Sequence, residues 1–261
     1  MPPHDATDEM VAAAILAGGL LERHAEANVR KMIYLGCYSW REASAPAVER
    51  SLEERGLPDS AFQRFATAAA RPWGFDAAPP AGRQPAQRTC YFYRSPGFLS
   101  RYKGGPLPAE TRRYYLALRA SQASWFLGAA ASALDEVLPS YAMKCLATPA
   151  SYRRADAAVI YVPDTDAAVA LDALQAAIAA ASIRLRPLTP LGTCPIAPGL
   201  AWADSLRDEA AQELSFGLWL ADLIVEAAAC GGADDDMAAN LAEYCMRRGR
   251  TLESVYQRGV S

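Results

Sequence analysis

Lysine is scarce in this chain, and one of the three, Lys144, lies in the stretch richest in potential chemistry. It sits in an apolar segment, Tyr141 to Leu146. Two adjacent arginines, Arg153 and Arg154, then stand just before a strongly apolar run, Ala157 to Val162. These residues read two ways. They fit a snorkelling edge lysine followed by a solvated strand entry. They also fit an anion site, because guanidinium groups grip phosphate oxygens in pairs and a lysine adds a point charge or, once desolvated, a base. The other lysines are Lys31, in a helical run, and Lys103, in a glycine- and proline-rich stretch.

Other chemistries find little support. His4 and His24 are the only histidines, and neither is placed for a Ser-His-Asp or Cys-His triad. The six cysteines have no C-x-x-C pairing and no spacing with histidine that suits zinc, so free thiols and no metal are expected. No Walker loop, dinucleotide fingerprint, nucleophile elbow or H-E-x-x-H motif occurs. A net charge of -3 argues against a general polyanion or nucleic-acid surface, so an anion site must be a local cluster of arginines. The apolar stretch Val11 to Leu21 is too short to span a membrane, and no signal-peptide pattern follows it. A cytoplasmic protein without membrane contact is expected.

The elements that must position these residues read as follows. The first 80 or so residues are helical: one helix capped by Thr7, a second over Ala45 to Arg55, and a third over Asp59 to Ala70. A proline- and glycine-rich linker then runs from Pro72 to Pro85. Beyond it the pattern becomes mixed. Strands are expected at Thr89–Tyr93, Arg113–Leu118, Tyr141–Leu146, Ala157–Val162 and Ile183–Leu188. Helices are expected at Ser121–Leu138, Asp164–Ala181, Ser205–Ala229 and Asp234–Arg248, and loops at Ser95–Pro106 and Pro187–Pro198. The fold class is therefore α+β, with a helical N-terminal part followed by a mixed or antiparallel sheet layered with helices. The expected division is 1–85, a helical subdomain with linker, and 86–261, an α+β domain.

Three runs carry a resemblance. They are Lys144 … Pro149-x-x-Tyr152-x-Arg154-x-Asp156-Ala-Ala-Val159-Ile-Tyr161, Ala197-Pro198-Gly199-Leu200-Ala-Trp-Ala203-Asp204 … Ser215-Phe216-Gly217, and the aromatic stretch Tyr114-Tyr115-Leu-Ala-Leu with its following helix. Together they resemble the HopA-type effector family over roughly residues 85 to 230. That family includes plant-pathogen effectors and enzymes of class V lanthipeptide and thioamitide biosynthesis, which are similar to phosphothreonine lyase effectors. The resemblance implies a lyase that acts on a ribosomally made precursor peptide after a kinase-like phosphotransferase. It would eliminate phosphate from phosphoserine or phosphothreonine, without cofactor, to leave dehydroalanine or dehydrobutyrine.

By order along the chain, the resemblance puts Arg113 and Tyr115 at the base and acid positions, Lys144 at a second lysine, and Arg154 at a phosphate-binding arginine. Arg153 and Arg113 are expected as further phosphate ligands. Arginine stays protonated and is a poor base, and no histidine stands at 115. Lys144 is therefore the expected base, with Lys103 in reserve and Tyr115 as proton donor. The same losses suit an alternative: a non-catalytic effector or scaffold that binds a kinase-like partner and a peptide.

Overall fold

The computed structural model describes residues 6–51, 90–94, 98–207, 213–231 and 236–257. The helix expected at Asp59–Ala70 and the linker at Pro72–Pro85 lie outside these residues. The chain folds as two compact units, one of residues 56–187 and 197–200, the other of residues 1–55, 188–196 and 201–261.

The second of these is mainly helical. Helix α1 (Ala6–Leu21) buries Met10, Ala13, Ala14, Ala17 and Leu20, one stripe at helical spacing. Helix α2 (Glu26–Met32) continues into a π-helical stretch, Ile33–Ser39, and α3 (Ala45–Arg50) follows. His24 here meets Glu49 at 2.9 Å.

The sheet unit contains β1 (Cys90–Arg94), β2 (Phe98–Lys103), β3 (Thr111–Leu116), helix α4 (Ala123–Val137), β4 (Tyr141–Leu146), β5 (Ala158–Pro163) and α5 (Ala167–Ala180). Its strands lie in the order β1-β2-β4-β5-β3. Every neighbouring pair among them is antiparallel. Helices α4 and α5 pack together and cover one face, on which Tyr114, Met143 and Ile160 are buried. The Tyr114 hydroxyl donates to the Ala167 carbonyl at 2.7 Å, which pins β3 to the start of α5.

After the sheet unit the chain returns to the helical one. Strands β6 (Cys194–Ala197) and β7 (Leu200–Asp204) and the short pair β8 (Leu206–Arg207) and β9 (Glu213–Leu214) precede α6 (Phe216–Cys230) and α7 (Met237–Arg247). The Asp236 side chain caps α7, accepting from the amides of Ala238 and Ala239. Helix α6 buries Phe216, Leu220, Leu223 and Ile224 and packs on α1 and α7. The C-terminal helices thus join the N-terminal ones instead of completing a continuous 86–261 domain, because the buried stripe of α1 finds its partner in α6.

Four expectations change. Phe98–Lys103 is a strand rather than part of a loop; its partners on β4 outweigh the flanking Gly/Pro signals. Ile183–Leu188 is not a strand: the Arg186 amide donates to the Ala117 carbonyl, and no ladder forms there. The loop expected over Pro187–Pro198 contains β6, with Pro195 tolerated because β6 is an edge strand. The helix expected from Ser205 begins only at Phe216, since Leu206 and Arg207 pair with Leu214 and Glu213.

Candidate functional site: a cationic and aromatic sheet face

Antiparallel partners that stand directly opposite share a face. Arg113 on β3 stands opposite Tyr161 on β5, and Tyr115 stands opposite Val159. Val159 is also opposite Lys144 on β4, and Lys144 is opposite Ser100 on β2. Arg113, Tyr115, Lys144 and Tyr161 therefore project from the face that α4 and α5 leave alone. The sequence shows each strand's alternation, but the register that joins the three strands becomes visible only in the fold.

The charges on this face are held against rings. The Arg113 guanidinium carbon lies 5.2 Å from the centre of the Tyr161 ring. The Lys144 ammonium lies 5.2 Å from the same centre and 4.9 Å from that of Phe98. Tyr161 is thus contacted by two cations from the strands on either side of its own. Arg113 and Tyr115 are each 3% exposed, whereas Lys144, Tyr161 and Phe98 are half-buried.

Arg154 reaches the same neighbourhood from the turn between β4 and β5. Pro149 opens a 3-10 turn over Pro149–Arg153, and the buried Tyr152 hydroxyl donates to the Leu146 carbonyl at 2.7 Å, fixing the turn over the end of β4. Two residues on, the Arg154 fork grips Asp156: Nε to Oδ1 at 2.8 Å and Nη2 to Oδ2 at 2.7 Å. Burial alone would raise the Asp156 carboxyl. The charge and hydrogen bonds of Arg154, and the charge of Lys144, outweigh burial and hold it below the usual carboxylate range. Lys144, Asp156 and Arg154 therefore form one electrostatic cluster. Arg186 secures its backbone, donating to the carbonyls of Arg153 (2.7 Å) and Arg154. Gly199 sits at φ +80 against this link; a Cβ there would come within 2.2 Å of the Arg186 carbonyl oxygen.

The structure brings together Lys144, Arg154, Arg113 and Tyr115. The Arg153 side chain is exposed. Lys103 does not join them: it projects from the helix-covered face, where its ammonium donates to the carbonyls of Asp135 and Leu138, each at 2.7 Å, capping the end of α4. Arg101 beside it forks onto the Asp135 carboxylate, which also accepts from Tyr141. Sequence reasoning did not single out Asp156, Tyr161, Phe98 or Arg186 as site residues. The i, i+2 spacing of Arg154 and Asp156 was a readable local signal, whereas the ring contacts depend on register.

Among the described residues no group of three or more His, Cys, Asp or Glu could hold a metal ion, and no helix is long and apolar enough to cross a membrane. Burial pushes the Cys145 thiol well up, and Cys37 up to about 12, which suppresses their reactivity as thiolates.

Two solved structures share this fold. The effector protein from Pseudomonas syringae pv. tomato strain DC3000 superposes with a TM-score of 0.66 at 14% identity, over 98% of this chain and 99% of that one. The effector protein from Pseudomonas syringae pv. syringae strain 61 does so with a TM-score of 0.66 at 16% identity, over 98% of each chain. No curated protein matches the chain in sequence. The family model of the HopA1 effector proteins matches residues 82–256, a span that holds the whole sheet and the Lys144–Asp156–Arg154 cluster, and the chain belongs to that family.

Proposed function

We propose that this protein binds a peptide carrying phosphoserine or phosphothreonine and eliminates the phosphate, leaving a dehydroamino acid. A kinase-like phosphotransferase would supply the phosphorylated peptide. The observation that carries the reading is the Arg154 fork, preorganised around a carboxylate within reach of Lys144. Asp156 occupies that fork as an internal oxyanion, and a phosphate has the oxygen geometry to take its place.

β-Elimination asks three things of a site. A base takes the Cα proton, the electrons of that bond form the Cα=Cβ double bond, and the Cβ–O bond breaks with its electron pair leaving on phosphate. Cations near the leaving oxygen lower the barrier, because charge develops there in the transition state. Arg154, Arg113 and Lys144 suit that role. Lys144, set against two rings and acting on Asp156, is placed to hold phosphate beside Arg154. Tyr115, across Val159 from Lys144, is the proton donor to the departing phosphate.

The second reading is a phosphopeptide-binding scaffold without turnover, favoured by the fold shared with two effector proteins. One experiment separates the two. The protein is incubated with a synthetic phosphothreonyl peptide and the product is weighed, with Arg154→Ala in parallel. Loss of phosphoric acid, abolished in the variant, supports the lyase. Binding with unchanged peptide mass supports the scaffold, and regenerated hydroxyl would mean phosphatase chemistry and refute both.

A further inference from the structure

Lys144 lies against two rings and acts on Asp156, and Arg113 stays protonated, so the lyase reading needs another acceptor for the Cα proton. The residue that lies between these two cations is Tyr161. Its ring is contacted from β3 by Arg113 and from β4 by Lys144, each at 5.2 Å. A cation beside an aromatic ring attracts a neutral phenol through the ring quadrupole, and attracts a phenolate more strongly because it carries a full negative charge. Two cations on one tyrosine therefore favour the ionised ring. Tyr161 is also half-buried, open enough for a peptide to reach.

We propose that Tyr161 is the catalytic base of this site, its phenolate oxygen taking the Cα proton of the phosphorylated residue. The inference rests on the lyase reading above. In the step, the Cα–H bond breaks and a phenol O–H bond forms. The carbon–hydrogen electron pair becomes the Cα=Cβ bond, and the Cβ–O pair leaves with phosphate, which receives a proton from Tyr115. Tyr161 then gives its proton to water, and Tyr115 regains one from water, which restores both groups. No oxidant, reductant or co-reactant is needed. The two cations have separate tasks in time: before the step they favour the phenolate, and after it Lys144 shares its charge with the released phosphate.

The test is Tyr161→Phe in the full chain, with a synthetic phosphothreonyl peptide as probe. Phenylalanine keeps the ring against both cations and removes only the oxygen. Affinity for the peptide should be retained while kcat for elimination falls by about a hundredfold or more, the range for a lost acid–base group. Replacing Tyr161 with 3-fluorotyrosine, a more acidic phenol, should restore turnover and move the rising limb of the pH–rate profile to lower pH. A structural role for the tyrosine would not move that limb. Elimination by Tyr161→Phe at a near wild-type rate, or a fluorotyrosine profile that does not shift, overturns the assignment and leaves the lyase reading standing. A wild-type protein that binds the peptide but never eliminates overturns both.

Discussion

Removing Arg154 should leave a buried carboxylate without its main counter-charge. Arg154 and Asp156 have side chains only 11% and 8% exposed, and two hydrogen bonds of 2.7 and 2.8 Å join them. Breaking such a pair from one side costs about 3–5 kcal/mol. Lys144 still acts on Asp156, which places Arg154→Ala near the lower end, about 3 kcal/mol. For a chain of this size that corresponds to a fall in Tm of roughly 6–12 °C. The double variant, Arg154→Ala with Asp156→Ala, removes the stranded charge and should recover most of the loss, since deleting both partners is close to neutral. The sign with pH follows from the direction of the Asp156 shift. Its carboxyl lies below the usual range in the fold, so its stabilisation is complete above about pH 4 and is lost as pH falls through the folded value. Thermal melts of wild type, single and double variants from pH 3 to 8 measure all of this. A single variant within 1 kcal/mol of wild type, or a double variant no more stable than the single, refutes the reasoning.

Two further predictions concern residues that the fold assigns to structure. Lys103→Met removes the ammonium from the Asp135 and Leu138 carbonyls and should destabilise by about 1–2 kcal/mol, with phosphopeptide affinity unchanged; an affinity loss by calorimetry at unchanged stability would return Lys103 to the site. Gly217→Ala should destabilise by about 1–3 kcal/mol, because a Cβ there would lie 2.4 Å from the Tyr38 ring; an unchanged urea midpoint would show that Tyr38 moves aside freely.

That glycine illustrates how far sequence reading reaches. Ser215-Phe216-Gly217 stands out in the sequence as part of a motif. In the fold Gly217 opens α6 so that the Tyr38 ring can lie against its backbone, a packing requirement no local pattern reveals. Strands with strong side-chain alternation or β-branched runs, such as β4 and β5, were legible, as were the alanine-rich helices beside them. Strand β2 was hidden by the serine, proline and glycine residues around it, because its pairing with β4 is a tertiary gain that turn propensity does not register. Of the site, Lys144 and Arg154 could be read from type and spacing. The placing of Tyr161 between Arg113 and Lys144 could not, since it requires β3, β5 and β4 to lie side by side in one register.

The pairing of α1 with α6 has a temporal side. A ribosome releases the chain from its N-terminus at roughly 5–20 residues per second. Helix α1 packs against α6, which begins at Phe216, so the first helix waits roughly 10–40 s for that partner. The strands between Cys90 and Pro163 emerge in the interval and can pair with one another. Nascent α1 is thus an apolar stripe in need of temporary shelter, and a release-timed crosslinking experiment should find a chaperone on it until α6 has emerged.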